Sequence, residues 1–338
     1  MSVLVDGSIT IYDALLKIRE GRYVMPAFQR QFVWSMEQIE KLWDSILLDY
    51  PISTFLFWHL DSANVNPDTY FCEFLHEATF NSRKQSDMPN YELGTVDISV
   101  TDTAVLDGQQ RLTSLLLSLL GKTYLRQKHA RKSGSGGTIT KLVIELNEHR
   151  LMVDEDEYNS KRFDVRFTDK VGKLSPTQFE IRKVLDEAYR DVGTRPDAIE
   201  AAIANVPPSS KEYARSTLSK LCSKIYEEKL VRFTEIRDMK QDDALEMFVR
   251  LNSGGKPLKK HEITMSILEA YWPRAKAEFG SVLTGPFADF GTDFIIRTAL
   301  MLYGDVVKST IDKRVANELK NDWASFGRTL DELAEFLR

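Results

Sequence analysis

The sequence has 338 residues, of which 43% are hydrophobic and 28% are charged, and its formal charge is −5. This is the composition of an ordinary globular protein, long enough for two domains, and the two cysteines exclude a disulfide framework. No apolar run is long enough to span a membrane and the start lacks a secretory signal, so we expect no membrane contact and a cytoplasmic location. The slightly negative charge gives no overall attraction to nucleic acid, so any DNA contact must come from local basic patches.

Hydrophobic spacing in the first half of the chain predicts short helices alternating with strands. Ser35 and Gln38 have the spacing of a capping box and predict the start of the second helix. The stretch from Asp61 to Asp102 is polar and irregular, with weak strand signals at 69–75 and 95–100. The predicted regular elements are helices at 8–19 and from Ser35, and strands at 23–26, 52–58, 104–106, 141–146 and 162–167.

The character of the sequence changes near Ser175, after which helical spacing dominates. Ser175, Pro176 and Gln178 have the positions of an N-cap, a first-turn proline and a capping-box glutamine, which predicts a helix start. The predicted helices cover about 176–190, 197–205, 210–228, 242–251 and 259–271 and most of the remainder, with one strand at 231–236. Helical spacing continues to the last residue, which indicates either a longer native chain or a partner that packs there.

These patterns predict an α/β (α+β) fold with two parts. A small mixed-sheet domain is expected over residues 1–172, with its core at about 8–170. A mainly helical domain is expected over residues 173–338, and it carries a Gly-rich turn from Asn252 to Lys256.

The most informative stretch is Val105 to Leu112, where a short apolar strand gives way to Asp107, Gly108, Gln109, Gln110 and Arg111 before an apolar helix. One interpretation is structural: Asp107 is the N-cap and Gln110 completes a capping box. The other is a phosphate site, because the first N–H groups of a helix and its dipole favour an anion. Gly108 would allow close approach, Arg111 would hold phosphate oxygens, and Asp107 would hold a divalent metal.

Two further segments have both a structural and a functional interpretation. Arg126, Lys128, Arg131 and Lys132 precede a Gly/Ser-rich stretch, which fits either cations beyond a helix end or a basic finger on a DNA backbone. In the turn Asn252–Lys256, the glycines are typical of a left-handed helix C-cap. Alternatively, the turn presents Asn252 and Lys256 to a ligand.

Three stretches together resemble the N-terminal domain family of GmrSD-type modification-dependent restriction systems, within the ParB/sulfiredoxin-like superfamily. They are Met25 to Trp34, Val105 to Thr113 and Phe248 to Leu258, and the match spans roughly residues 8 to 270.

The resemblance implies a ParB-like domain that binds a nucleoside triphosphate, with GTP favoured, and Mg²⁺. It associates Asp107 through Arg111 with nucleotide hydrolysis and places Gln29 and Arg30 close to the nucleotide. The DNA-cutting activity of the family typically lies in a histidine-centred nuclease domain or partner subunit, and these 338 residues contain no such motif.

We therefore predict an NTP-hydrolysing, DNA-sensing module of a phage-defence system that controls a nuclease in a C-terminal domain or a partner. In this hypothesis Gln109 or Gln110 orients the attacking water, and the DNA is modified. One alternative is a nucleotide-switched DNA-binding module with little hydrolysis, and another is a ParB-like nuclease; a homo-oligomer is compatible with each.

Overall fold

The computed structural model describes residues 3–29, 32–61, 65, 71–86, 93–94, 97, 99–126, 137–147, 161–170, 172, 174–252, 260–272, 274–282, 287, 292–303 and 313–336. In this part of the chain, 13 strands and 11 α-helices occur, with two short 3₁₀ helices at Ile181–Leu185 and Pro208–Ser210. The predicted mixed α/β fold is confirmed.

The strands are β1 (Val3–Ile9), β2 (Tyr23–Pro26), β3 (Phe55–His59), β4 (Phe71–Cys72), β5 (Glu77–Ser82), β6 (Gln85–Ser86), β7 (Leu93–Gly94), β8 (Thr103–Asp107), β9 (Lys122–Arg126), β10 (Gly137–Glu145), β11 (Val165–Thr168), β12 (Gln178–Glu180) and β13 (Val231–Arg237). The helices are α1 (Ile11–Arg19), α2 (Met36–Leu47), α3 (Gln109–Leu119), α4 (Glu187–Arg190), α5 (Arg195–Ala202), α6 (Lys211–Tyr226), α7 (Gln241–Asn252), α8 (Lys260–Tyr271), α9 (Ala275–Val282), α10 (Thr292–Tyr303) and α11 (Lys313–Phe336).

A seven-stranded mixed sheet carries the order β1-β13-β3-β8-β2-β4-β7. Strand β8 lies near its middle, antiparallel to β3 and parallel to β2. Strand β13 lies between β1 and β3 although it follows them by more than 170 residues. The sheet therefore contains strands from both sides of the boundary that the sequence predicts at residue 172.

A second sheet has six strands, five of them in the order β11-β10-β9-β5-β6, with β12 pairing to β10. Two buried carboxylates of helix α2, Glu40 and Asp44, bond to this sheet and to the segment that precedes β11. Glu40 accepts hydrogen bonds from the Phe167 N–H (2.8 Å) and Lys161 Nζ (2.9 Å). Asp44 accepts from the N–H groups of Arg162 and Phe163, and its burial raises the pKa of the carboxyl group in spite of these bonds.

Two hydrophobic cores lie on opposite faces of the seven-stranded sheet. Val105 of β8 belongs to the core that contains α1, α2, α3 and α6, whereas Ala104 and Leu106 belong to the core that contains α7 to α11. Successive residues of a strand point to opposite faces, so a strand covered on both sides must be apolar throughout. This explains the continuous apolar run of Ala104 to Leu106.

Several predicted elements are confirmed, including the capping box of Ser35 and Gln38 at the start of α2, β8, and β13. The predicted helix at about 176–190 is wrong, because Gln178–Glu180 pairs with β10 and only short helices follow. The Gln178 side chain does accept from the Ser175 N–H (3.1 Å), but the bond closes a turn. Pairing with the edge of β10 therefore prevailed over the local capping signal.

Two other segments also differ from the sequence predictions. Helix α3 ends at Leu119 and Lys122–Arg126 is a strand, so the interpretation of these residues as a helix end and loop is wrong. Residues 3–9 form β1, which the sequence did not predict, and Thr10 caps α1 by accepting from the Asp13 N–H. None of the helices in the described ranges is long and apolar enough to cross a membrane.

Candidate functional site

The candidate site lies where β8 ends and α3 begins. Gly108 is the N-cap of α3, with φ of +94°, and it supplies no side chain to cap the first turn. A Cβ atom at position 108 would lie 2.1 Å from Cδ1 of Phe55, so the ring fills the space beside the backbone. Only glycine combines this left-handed conformation with such a close approach.

Asp107 is the last residue of β8 and is not the N-cap, so the capping-box interpretation of Asp107 and Gln110 is wrong. The reason is that Asp107 continues the pairing of β8 with β3, opposite Leu56, and the turn falls one residue later. Its side chain is 57% exposed. The sequence thus leaves an accessible carboxylate beside the amino end of a helix.

Arg111 holds Asp107 from the next turn of the helix. Its Nη2 lies 3.0 Å from Oδ2 of Asp107 and donates to the carbonyl oxygen of Thr54 at 3.2 Å, while Nη1 donates to the carbonyl oxygen of Ile52. The guanidinium also lies 4.4 Å from the centre of the Phe55 ring. Burial lowers the pKa of Arg111, and the neighbouring carboxylate of Asp107 opposes this effect.

Two buried glutamines fix the chain around the junction. The side-chain Nε2 of Gln29 donates to the carbonyl oxygens of Val105 (3.0 Å) and Leu106 (2.8 Å). The Oε1 of Gln110 accepts from the Val33 N–H at 2.9 Å. Gln29 is therefore bound to β8, and Val33 is bound to α3. Gln109 is also buried.

The structure places Gln29 against the end of β8, next to the segment 107–111, whereas other predicted site residues lie outside the described part. These are Arg30, Lys128, Arg131, Lys132 and Lys256, together with the side chain of Asn252. Arg126 is half-buried at the end of β9, opposite Gly137 of β10. The assignment of Arg126 to DNA binding stays a prediction.

Sequence reasoning missed the residues that surround Arg111. Ile52 and Thr54 lie in the loop before β3 and Phe55 is the first residue of β3, all more than fifty positions before the junction. Between the two carbonyls, Ser53 has a φ of +67°. No local signal in the sequence indicates which later residue the turn at Ser53 will face.

The arrangement offers limited support for a metal ion. Among the described residues, no group of three or more His, Cys, Asp or Glu side chains is placed to hold a metal. Oδ1 of Asp107 has no protein partner within the same residues. Mg²⁺ commonly binds one or two carboxylates together with phosphate and water oxygens, and a single exposed carboxylate fits that pattern.

The chain is thus a mixed α/β protein in which a strand ends at Asp107, a left-handed turn follows at Gly108, and the next helix carries Arg111. Residues 11–269 match the family described as GmrSD restriction endonuclease, N-terminal domain. The chain belongs to this family, which relates it to restriction systems.

A relative is similar over a shorter stretch of the chain. An uncharacterized protein of Methanocaldococcus jannaschii is 33% identical over 114 residues, which cover 34% of this chain. The matched stretch spans 17% of that protein's own length.

Proposed function

We propose that the chain is a nucleoside-triphosphate-hydrolysing, DNA-sensing module of a restriction system. Its turnover would control a nuclease in a C-terminal domain or a partner subunit, in a monomer or a homo-oligomer. The observation that carries this proposal is the exposed carboxylate of Asp107, held by Arg111 beside the amino end of α3, where the N-cap Gly108 supplies no side chain.

Physical chemistry supports a polyphosphate ligand at this position. The first N–H groups of a helix have no partners within the helix, and the positive end of the dipole favours an anion. The ring of Phe55 fills the side-chain position of the buried Gly108, so a ligand would reach the junction from the side of the exposed Asp107 carboxylate. Asp107 would repel a bare phosphate, so we assign to it the binding of Mg²⁺, which would neutralise charge on the phosphates. The preference for GTP rests on the family resemblance alone.

The contacts favour a positioning role for the arginine. Its terminal nitrogens already donate to Asp107 and to two backbone carbonyls. We therefore assign Arg111 to orienting the Asp107 carboxylate, while contact with phosphate stays a prediction. By the same reasoning, Gln29 and Gln110 shape the site by fixing residues 29 and 33.

Phosphate release from GTP, ATP, CTP and UTP tests the proposal, with and without Mg²⁺ and with modified and unmodified DNA. We expect Asp107→Asn to lower turnover at least about 100-fold, since it removes the charge that would bind the metal. Arg111→Lys should lower turnover about tenfold, because lysine cannot make the same fork of contacts.

The matched control for Asp107→Asn is Asp238→Asn, the same change at an exposed aspartate after β13, at the opposite end of the sheet. It should keep wild-type turnover. Normal turnover in the Asp107 variant would refute the site assignment. DNA-dependent turnover in the wild type would identify the nucleotide and the trigger together.

A second candidate is a nucleotide-switched DNA-binding module with little hydrolysis. One observation favours it, because Gln29, predicted near the nucleotide, and Gln110, one of two residues predicted to orient the water, are both buried. Nε2 of Gln29 donates to two backbone carbonyls, and Oε1 of Gln110 accepts from the Val33 N–H. Tight binding of a nucleotide without phosphate release would establish this candidate and refute the hydrolase.

A further inference from the structure

The loop between α2 and β3, residues 49–54, is held at its first residue by helix α6. Asp49 has a left-handed backbone, with φ of +64°. Its two carboxylate oxygens each lie 2.5 Å from a lysine Nζ, Oδ2 from Lys220 and Oδ1 from Lys224. The side chain of Lys224 is only 3% exposed and also pairs with Glu228 at 2.5 Å. A buried ammonium needs such partners, because unpaired burial of charge is costly.

The other end of the same loop holds the candidate site. Ser53 is also left-handed, a conformation that residues other than glycine seldom adopt. The turn at Ser53 lies between the two carbonyl groups, of Ile52 and Thr54, that accept from the Arg111 guanidinium. Ile52 is itself buried in the core that contains α2 and α6. Only Tyr50 and Pro51 separate Asp49 from Ile52, and the Tyr50 N–H donates to the carbonyl oxygen of Ser45 at 2.9 Å. A displacement at Asp49 is therefore passed to Ile52 through two residues of backbone.

We propose that Asp49 is a positioning residue, which fixes the loop so that its carbonyls hold Arg111 and, through Arg111, orient the Asp107 carboxylate. Its effect on turnover rests on the proposed function, whereas its effect on the order of the junction does not. Ion pairs join Lys220 and Lys224 to Asp49, and the backbone of residues 50–54 joins Asp49 to the two carbonyls that accept from Arg111. Arg111 in turn pairs with the Asp107 carboxylate.

The change that tests this is Asp49→Asn. Asparagine adopts left-handed backbone readily, so the turn is retained while the charge that pairs with the two lysines is lost. The matched control is Asp238→Asn, since Asp238 has a φ of +57° and makes no ion pair with the described residues.

Hydrogen exchange of the full chain, followed by mass spectrometry, reads out the order of the loop and of the first turn of α3. We expect Asp49→Asn to speed exchange about fivefold in peptides covering both 50–56 and 109–116, as loss of partly buried ion pairs would do. The Asp238 variant should match the wild type. Unchanged exchange in 109–116, or an equal change in both variants, would overturn the proposal.

A hydrolysis assay then separates the two proposals. With a hydrolysing wild type, Asp49→Asn should raise the Mg²⁺ concentration for half-maximal turnover about fivefold, since the Asp107 carboxylate is held less firmly. An unchanged Mg²⁺ dependence would limit Asp49 to a structural role and overturn its positioning role. A wild type without turnover refutes the hydrolase alone, because the exchange comparison still decides whether Asp49 orders the junction.

Discussion

At the scale of single residues, the ring of Phe55 has two functions at the junction. It stacks beneath the guanidinium of Arg111 and occupies the space that a side chain at position 108 would need. A cation over an aromatic ring is stabilised most when water is excluded, and both groups here are largely buried. The glycine and the arginine of the junction therefore depend on one residue of another strand.

We expect Gly108→Ala to destabilise the protein by about 2–4 kcal/mol, from the strain of a left-handed alanine and from overlap with the Phe55 ring. Thermal or denaturant unfolding measures this change. Gly280→Ala is the control, because its Cβ would meet no atom within 4 Å and its backbone is helical. The control should be neutral or stabilising by up to about 1 kcal/mol. Equal stability of both variants would show that the junction tolerates a side chain.

At the scale of elements, a side chain can supply hydrogen bonds to strand carbonyls that no neighbouring strand reaches. Strand β2 pairs with β8 only at Thr103 and Ala104 and then turns toward β4. The amide of Gln29 supplies hydrogen bonds to the next two carbonyls of β8. At β10, in contrast, a new strand rather than a side chain fills the edge, because β12 pairs there.

Helix α8 is another element whose surroundings change the chemistry of its residues. It packs against α7, α9, α10 and α11, so that even its Glu269 is buried. Burial raises the pKa of Glu269 to about 7, and only the charge of Lys276 opposes the shift. The unfolded chain has the ordinary glutamate value of about 4.5. The folded protein therefore binds this proton more tightly than the unfolded chain.

It follows that this group destabilises the fold as pH rises from about 4.5 to 7, and that its effect is constant above pH 7. In the wild type, this group should lower the free energy of unfolding by about 1–3 kcal/mol between pH 5 and pH 8. We expect Glu269→Gln to remove that decrease, as measured by denaturant unfolding at both pH values. The exposed Glu332 provides the control, because Glu332→Gln should keep the wild-type pH dependence. An unchanged pH dependence in Glu269→Gln would contradict the assignment.

At the scale of the whole molecule, the two halves of the chain share their framework. Strand β13 separates β1 from β3 in the large sheet, and β12 pairs with β10 in the other. Both cores combine residues from before and after position 172. Division at that point would remove an interior strand of the large sheet and expose the face of β8 that packs against α7 to α11.

We therefore expect a fragment of residues 1–172 to lack cooperative unfolding, and the fragment 173–338 to lose the contacts of β13. The two fragments produced together should associate and regain part of the far-ultraviolet and thermal signature of the full chain. Circular dichroism and co-purification measure these outcomes, with the intact protein as control. A cooperative transition in the isolated fragment 1–172 would establish an independent domain there.

Local pattern alone determined much of this protein: the mixed α/β class, the strand–turn–helix at 104–119, the capped start of α2, and the motifs that place the chain in its family. These features can be predicted from the sequence because hydrophobic periodicity, capping and turn preferences act within a few residues.

Only the tertiary structure decided what the motif residues contact. Gln29 meets carbonyls 76 and 77 positions away, and Arg111 meets carbonyls 57 and 59 positions before it. Such partners depend on strand order, which brings distant segments together at one edge of a sheet. Local composition does not indicate that order. The same long-range pairing made a strand of Gln178–Glu180, since the edge of β10 outweighed a helix signal that acts only within one turn.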